Sequence, residues 1–158
     1  MLSIARVEIV RAQPTDAARL SEIAWAAKAS WGYPAHWLEQ WRDQLTITPE
    51  FVAANETFAA SLPERLIGFH ALVPAAETMR LEHLWVLPAE MGRGFGRALF
   101  QHAAARAAAL GAHSLTIEAD PNAEPFYLHL GAVRVGAVAT EIEGQRRELP
   151  ILESRLPR

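Results

Sequence analysis

The chain has 158 residues, enough for one domain with a real core, and 51% of them are apolar against 21% charged, the balance of an ordinary globular protein. The formal net charge of −3 leaves no broad basic field, so neither nucleic acid nor a strongly acidic substrate is an expected partner. The absence of cysteine excludes disulfides, thiolate metal sites and a cysteine acyl-enzyme.

The N-terminus lacks the basic start and long apolar core of a signal peptide. No apolar run approaches the ~20 residues needed to span a bilayer. The expectation is a cytoplasmic protein with no membrane partner.

Alternation at Val7 and Ile9 predicts a first strand over Ile4–Arg11. Pro14-Thr15-Asp16 opens a helix with Thr15 or Asp16 as N-cap, and Leu20, Ile23, Ala24 and Ala27 share its apolar face. Gly32 and Pro34 break the pattern. A second short helix is expected over His36–Leu45, with Trp37, Leu38, Trp41 and Leu45 on one face. This region is rich in aromatics. Trp37 and Trp41 suit packing between helices, whereas Trp31 and Tyr33, on the loop, suit either packing or the wall of a substrate pocket.

One strand is expected around Phe51–Ala60, a turn at Pro63-Glu64-Arg65, and a strand over Leu66–Val73 ended by Pro74. The next strand runs over Met79–Leu87, and two tight connections in a row suggest an antiparallel meander. A helix follows from Gly94 to Leu110 with Gly111 at its C′ position. Ser114–Ala119 reads as a strand, Asp120-Pro121-Asn122 as a turn, and Ala123–Leu130 as a short helix capped by Asn122 and ended by Gly131. A closing hairpin joins Val133–Ile142 to Glu148–Leu152 across Glu143-Gly144, with Pro150 placing its strand near an edge or at a bulge. No repeat or linker interrupts the chain, so a single mixed α/β domain over residues 1–158 is expected, with one strand–helix–strand unit near its middle.

The stretch from Leu84 to Phe100 carries the clearest chemistry. An apolar run ends at Pro88, glycines follow at 92, 94 and 96, and an alanine-rich helix starts at once. Glycines let backbone N–H groups approach a phosphate, and a helix N-terminus adds positive potential. The loop lacks the Gly-Lys-Ser/Thr ending of a triphosphate loop, because Arg97-Ala98 follows Gly96. It does not spell Gly-x-Gly-x-x-Gly, and it lies beyond the chain's midpoint instead of after its first strand. The bland alternative is a flexible connection, which three glycines directly before a strong helix disfavour. Arg93 and Arg97 flank the loop as solvated side chains or as phosphate partners.

These residues resemble the GNAT superfamily of acetyl-CoA-dependent N-acetyltransferases. Val86-Leu87-Pro88 followed by Met91-Gly92-Arg93-Gly94-Phe95-Gly96 is similar to the family's Arg/Gln-x-x-Gly-x-Gly/Ala signature, with Met91 departing at the Arg/Gln position. Asn122, Phe126-Tyr127 and Leu130-Gly131 resemble its second segment, with Ala132 where phenylalanine is commoner.

The resemblance implies a mostly antiparallel central sheet flanked by helices. Met79–Leu87 and Ser114–Ala119 would form its one parallel, splayed strand pair. It implies acetyl-CoA as cosubstrate, bound by the backbone of Leu84, Trp85 and Val86, by the loop Met91, Gly92, Arg93, Gly94, Phe95, Gly96 and Arg97, and by Asn122 and Phe126. It assigns Tyr127 as the acid at the leaving sulfur and a backbone N–H near Trp85 or Val86 as oxyanion donor.

Glu82 is the candidate base by the same resemblance, since it lies nine residues before Met91, where some family members project a basic or acidic side chain into the amine channel. Alternation puts it on one face with Arg80, Leu84 and Val86, and the alternative is a solvated strand carboxylate. His83 then points to the other face in a structural role. The other histidines, at 36, 70, 102, 113 and 129, have no metal-ligand spacing. The expected reaction is acetyl transfer to the primary amine of a small molecule by direct attack, with Trp31 and Tyr33 at the acceptor. A protein amine as acceptor, or an acyl-CoA-binding domain without catalysis, are the alternatives. An exposed edge strand would also permit a homodimer.

Overall fold

The computed structural model describes residues 7–157. Strand β1 (Glu8–Arg11) leads through a 3-10 turn at Pro14–Asp16 into helix α1 (Ala17–Ala29). Helices α2 (Ala35–Gln40), α3 (Arg42–Leu45) and α4 (Pro49–Ala54) follow, then strands β2 (Glu56–Leu62), β3 (Arg65–Ala75) and β4 (Thr78–Val86). Helix α5 (Phe95–Ala109), β5 (Ser114–Glu118), α6 (Glu124–His129), β6 (Val133–Ile142) and β7 (Gln145–Arg155) complete the chain. The strands form one seven-stranded, mostly antiparallel sheet in the order β1-β2-β3-β4-β5-β7-β6. Its single parallel pair is β4 with β5, in register at Met79–Leu115 and Arg80–Thr116. Among the described residues, no helix is long and apolar enough to cross a membrane.

Contacts group the residues into two compact units, one made of the chain up to Ala71 with His83–His102, the other of Leu72–Glu82 with Ala103 onward. In the first unit the expected face of α1 is the buried one. Leu20, Ile23, Ala24 and Ala27 are sealed, with Leu20, Ile23 and Ala24 joining Leu45, Ile47, Val52, Ala59 and Phe69 in one core cluster. A second cluster gathers Ala60, Leu62, Ile67 and Val86 around Phe95 and Leu99, which root the start of α5. In the second unit Leu115, Ile117 and Leu152 are fully buried. Helix α5 ends in the expected way. Gly111 takes φ +91°, its N–H bonds the Ala108 carbonyl and that of Ala112 bonds Ala107, a Schellman end. The hairpin turn is also as expected, since Glu143 and Gly144 both have positive φ.

Several expectations are corrected. The start of the first strand at Ile4 lies outside the described residues. Asp16 precedes α1, but its carboxylate accepts the Gln13 N–H at 2.8 Å, one turn upstream, instead of capping the helix. The second helix breaks at Trp41, whose ψ of 1° ends α2 before α3 begins. The segment read as strand from Phe51 opens as helix α4, because Thr48 Oγ1 accepts the Phe51 N–H at 3.0 Å and Pro49 and Glu50 fill the first turn. The strand proper begins only at Glu56.

Pro74 does not end β3. It is exposed in the last two residues of the strand, where its missing N–H costs little. Strand β7 is longer than expected and lies between β5 and the edge strand β6, so Pro150 is not on an edge strand. Pro150 is buried opposite Ala137, beside the register shift that β6 makes between Arg134 and Gly136, in keeping with the bulge half of the expectation. Its carbonyl accepts from Ala119 N–H, one residue past the end of β5. N and O of a strand residue face the same side, so the absent donor points where that ladder has already stopped.

Candidate functional site

Strand β4 delivers the site's first half. Val86 is buried, the Leu87 N–H donates to the Ile67 carbonyl at 2.8 Å, and a 3-10 turn spans Pro88–Glu90. A side chain at Gly68 would meet the Trp85 carbonyl oxygen at 2.8 Å and Leu99 Cδ1 at 3.1 Å. That glycine therefore lets β3 press against the Leu84–Val86 backbone and α5, a requirement the sequence did not reveal.

Gly92 and Gly94 both have positive φ, +80° and +87°, and a Cβ on either would touch nothing within 4 Å. Backbone conformation, not crowding, demands glycine there, and the outer side of the loop is open to a ligand. Met91, Gly92, Arg93 and Gly94 are exposed, while Phe95 is buried. Gly96 falls in the first turn of α5. The first N–H groups of a helix have no partner within it, and α5 is 15 residues long. Open loop, unpartnered amides and the positive end of a long helix fit a diphosphate.

Glu90 sits beneath this loop with its side chain 5% exposed. Arg65 Nη2 donates to one carboxylate oxygen at 2.6 Å and Arg93 Nη1 to the other at 2.5 Å. The Arg65 hydrogen bond, against opposing burial and with Arg93 assisting, holds the Glu90 carboxyl below the usual carboxylate range. Arg93 also lies over the Phe95 ring at 5.1 Å, and Arg97 is exposed. Neither Arg65 nor Glu90 was legible as a site residue. The two are 25 positions apart, and nothing local announces that Glu90 is buried.

The aromatic segment folds on itself. Tyr33 stacks on Trp37 at 6.0 Å and meets Trp41 edge-on at 4.9 Å. The Lys28 ammonium lies 5.7, 5.1 and 4.4 Å from the centroids of Trp31, Tyr33 and Trp41. Trp31 continues to Trp85 of β4, with ring centroids 6.1 Å apart. Tyr33 is thus part of the packing with Trp37 and Trp41, while Trp31 reaches the strand that carries Leu84–Val86. His83 is packed between Phe51 and Phe69 and accepts the Trp85 indole N–H, consistent with a structural residue.

Arg80 and Glu82 are both exposed on β4 and form an ion pair at 2.7 Å. The Glu82 carboxylate is thus poised beside a guanidinium at the surface. In the second unit, Tyr127 on α6 is 6% exposed, with the Phe126 ring edge-on at 5.1 Å. Burial pushes the Tyr127 phenol well above its ordinary pKa, so it stays protonated across any working pH. Asn122 does not cap α6. Asp120 Oδ1 accepts the Asn122 N–H at 2.8 Å and its side-chain amide at 3.1 Å, while Arg147 pairs with the other carboxylate oxygen at 3.6 Å. The aspartate wins because it begins the 3-10 turn that precedes the helix.

The sequence matches the model of the acetyltransferase (GNAT) family over residues 17–132, which takes in every element from α1 to α6. The chain belongs to that family. No curated protein sequence matches it. Among solved structures it is similar to a GCN5-related N-acetyltransferase from Rhodopseudomonas palustris, at 24% identity and a TM-score of 0.78 over 99% of this chain and 98% of that one. It is also similar to the PaiA N-acetyltransferase of Thermoplasma acidophilum in complex with coenzyme A, at 18% identity and TM-score 0.74 over 95% and 99%. YncA of Salmonella typhimurium, a putative acetyltransferase solved with acetyl-CoA, gives 18% and 0.71 over 97% and 95%. At these identities the likeness is one of fold.

Proposed function

We propose that this protein is an N-acetyltransferase that moves the acetyl group of acetyl-CoA to the primary amine of a small molecule. The observation that carries the reading is the open glycine loop at the start of α5, inside the region matched by the family model. The diphosphate of the cosubstrate lies on the amides of Gly92 to Arg97, and its pantetheine amides bond the backbone of Leu84 to Val86. Asn122 and Phe126 complete the cosubstrate contacts. Trp31 and Tyr33 border the acceptor, and an aromatic border suits a compact amine better than an extended peptide. The site operates in the cytoplasm, where acetyl-CoA is available to it.

The amine nitrogen attacks the acetyl carbon directly, since the chain has no cysteine to form an acyl-enzyme. Its lone pair forms the new C–N bond, and the carbonyl oxygen becomes an oxyanion stabilised by a backbone N–H near Trp85 or Val86. The oxyanion collapses, the C–S bond breaks, and the electron pair leaves on sulfur. The amine's proton passes to Glu82, whose carboxylate pairs with the Arg80 guanidinium. Tyr127 donates its hydroxyl hydrogen to the departing thiolate. Because a raised phenol pKa makes complete proton transfer to a thiolate of pKa about 8.5 uphill, Tyr127 acts as a fixed hydrogen-bond donor to the sulfur.

The test is calorimetric titration with CoA together with thiol release from acetyl-CoA over a panel of amines and peptides. Binding of CoA and turnover on small primary amines are expected. Turnover on peptides alone would reassign the acceptor, and binding without turnover would leave a CoA-binding domain.

A further inference from the structure

We propose that Arg65, held at the glycine loop by the buried carboxylate of Glu90, is a phosphate-binding residue for CoA alongside Arg93. The inference rests on the acetyl-CoA reading above and concerns which side chains supply positive charge at its loop.

Glu90 directly precedes Met91 and the glycines, yet its side chain is only 5% exposed. A carboxylate beside a phosphate site is repulsive unless its charge is more than compensated. Here each oxygen takes a different arginine, Arg65 at 2.6 Å and Arg93 at 2.5 Å, so the three side chains together carry a net +1. Both arginines remain about half exposed, at 50% and 45%. A guanidinium has five N–H donors in a rigid fork, so binding Glu90 leaves donors facing solvent.

Arginine side chains lose rotamer entropy when they are fixed. Glu90 imposes that loss in the folded protein, before any ligand arrives, which is preorganisation. Met91, 44% exposed at the head of the loop, brings no charge. Arg65 begins β3 immediately after a tight turn in which Glu64 has φ 70°, so its backbone is fixed as well. Glu90 is a positioning residue in this arrangement, and Arg65 and Arg93 are the ligand-facing pair.

The experiment measures dissociation constants by calorimetry for CoA, dephospho-CoA and S-acetylpantetheine, with wild type, Arg65→Ala, Glu90→Gln and the double variant. Arg65→Ala is expected to weaken CoA about tenfold, an effect reduced by added salt, and to leave S-acetylpantetheine, which has no phosphate, unchanged. A loss for CoA but not dephospho-CoA assigns Arg65 to the 3′-phosphate; equal losses assign it to the diphosphate. Either supports the proposal. Unchanged CoA affinity in Arg65→Ala, or an equal loss for S-acetylpantetheine, overturns it.

Glu90→Gln raises the local net charge yet is expected to weaken CoA, and Arg65→Ala should add little in its background. Tighter binding by Glu90→Gln, or full additivity, overturns the positioning role. A purely structural clamp would lower the melting temperature without discriminating among the three ligands. Failure of the wild type to bind CoA at all would instead overturn the acetyl-CoA reading beneath this one.

Discussion

The indole rings of Trp31 and Trp85 lie 6.1 Å apart with planes tilted by 50°, joining the loop after α1 to the strand that ends in the glycine loop. Trp85 is held in turn by its N–H donated to His83 Nδ1 at 3.0 Å. Tilted aromatic pairs contribute about 0.5–1.5 kcal/mol beyond the area they bury. Trp31→Ala removes the contact and, on the proposed function, one side of the acceptor site. The KM for the amine should rise about tenfold while the Kd for CoA stays put. Steady-state kinetics with a parallel CoA titration checks this, and a matching loss of CoA affinity would move Trp31 to the cosubstrate side.

Gly68 makes a second prediction. Alanine there would set a methyl carbon 2.8 Å from a backbone oxygen, which cannot swing aside as a side chain can. Gly68→Ala should destabilise the fold by about 1–3 kcal/mol. It should also weaken CoA by displacing the Trp85 carbonyl. Gly92→Ala meets no atoms within 4 Å and should act through backbone strain alone, costing roughly 1–2 kcal/mol. Urea unfolding of both variants, with CoA titration of Gly68→Ala, compares crowding with strain.

What the sequence disclosed divides along physical lines. The ends of α5 and α6 and the β6–β7 turn were legible because Gly111, Gly131 and Glu143-Gly144 need positive φ, a local requirement. The buried face of α1 was legible because Leu20, Ile23, Ala24 and Ala27 repeat at helical spacing. The signal for α4 was present in Thr48-Pro49-Glu50, but the apolar pair Phe51-Val52 masked it. Pro150 was legible in part: the proline signals an edge or a bulge, and which of the two it meets depends on where the neighbouring strands stop or shift register, a tertiary fact. The glycine loop carried its own meaning. Its charge did not, since Glu90 and Arg65 meet only after β3 and β4 have formed.

Glu90 sets an acid-side prediction. Its carboxyl is held below the ordinary value of 4.5, first by Arg65, against burial, and then by Arg93. Between the folded and unfolded pKa values the unfolded chain therefore binds more protons. The stabilisation is complete above the unfolded value and is lost as pH falls through the lower folded one. Melting temperatures followed from roughly pH 6 to 3 should fall more steeply for the wild type than for Glu90→Gln, which has no proton to take up. Parallel curves would show that the arginine clamp contributes nothing to folding.

Tyr127 sets the alkaline counterpart. Burial raises its phenol above the ordinary value of 10, so the folded state keeps the proton that the unfolded chain releases first. Stability is unaffected below pH 10 and is lost as pH rises from there toward the folded value. Tyr127→Phe keeps the buried ring, removes the hydroxyl, and should flatten this alkaline decline. On the proposed donor role, the same variant should cut kcat on the order of a hundredfold with little change in CoA affinity. The discriminating readout is kcat of wild type against Tyr127→Phe compared below pH 10, where the buried phenol keeps its proton. An unchanged kcat in Tyr127→Phe would reduce the residue to a core aromatic and require another donor for the sulfur.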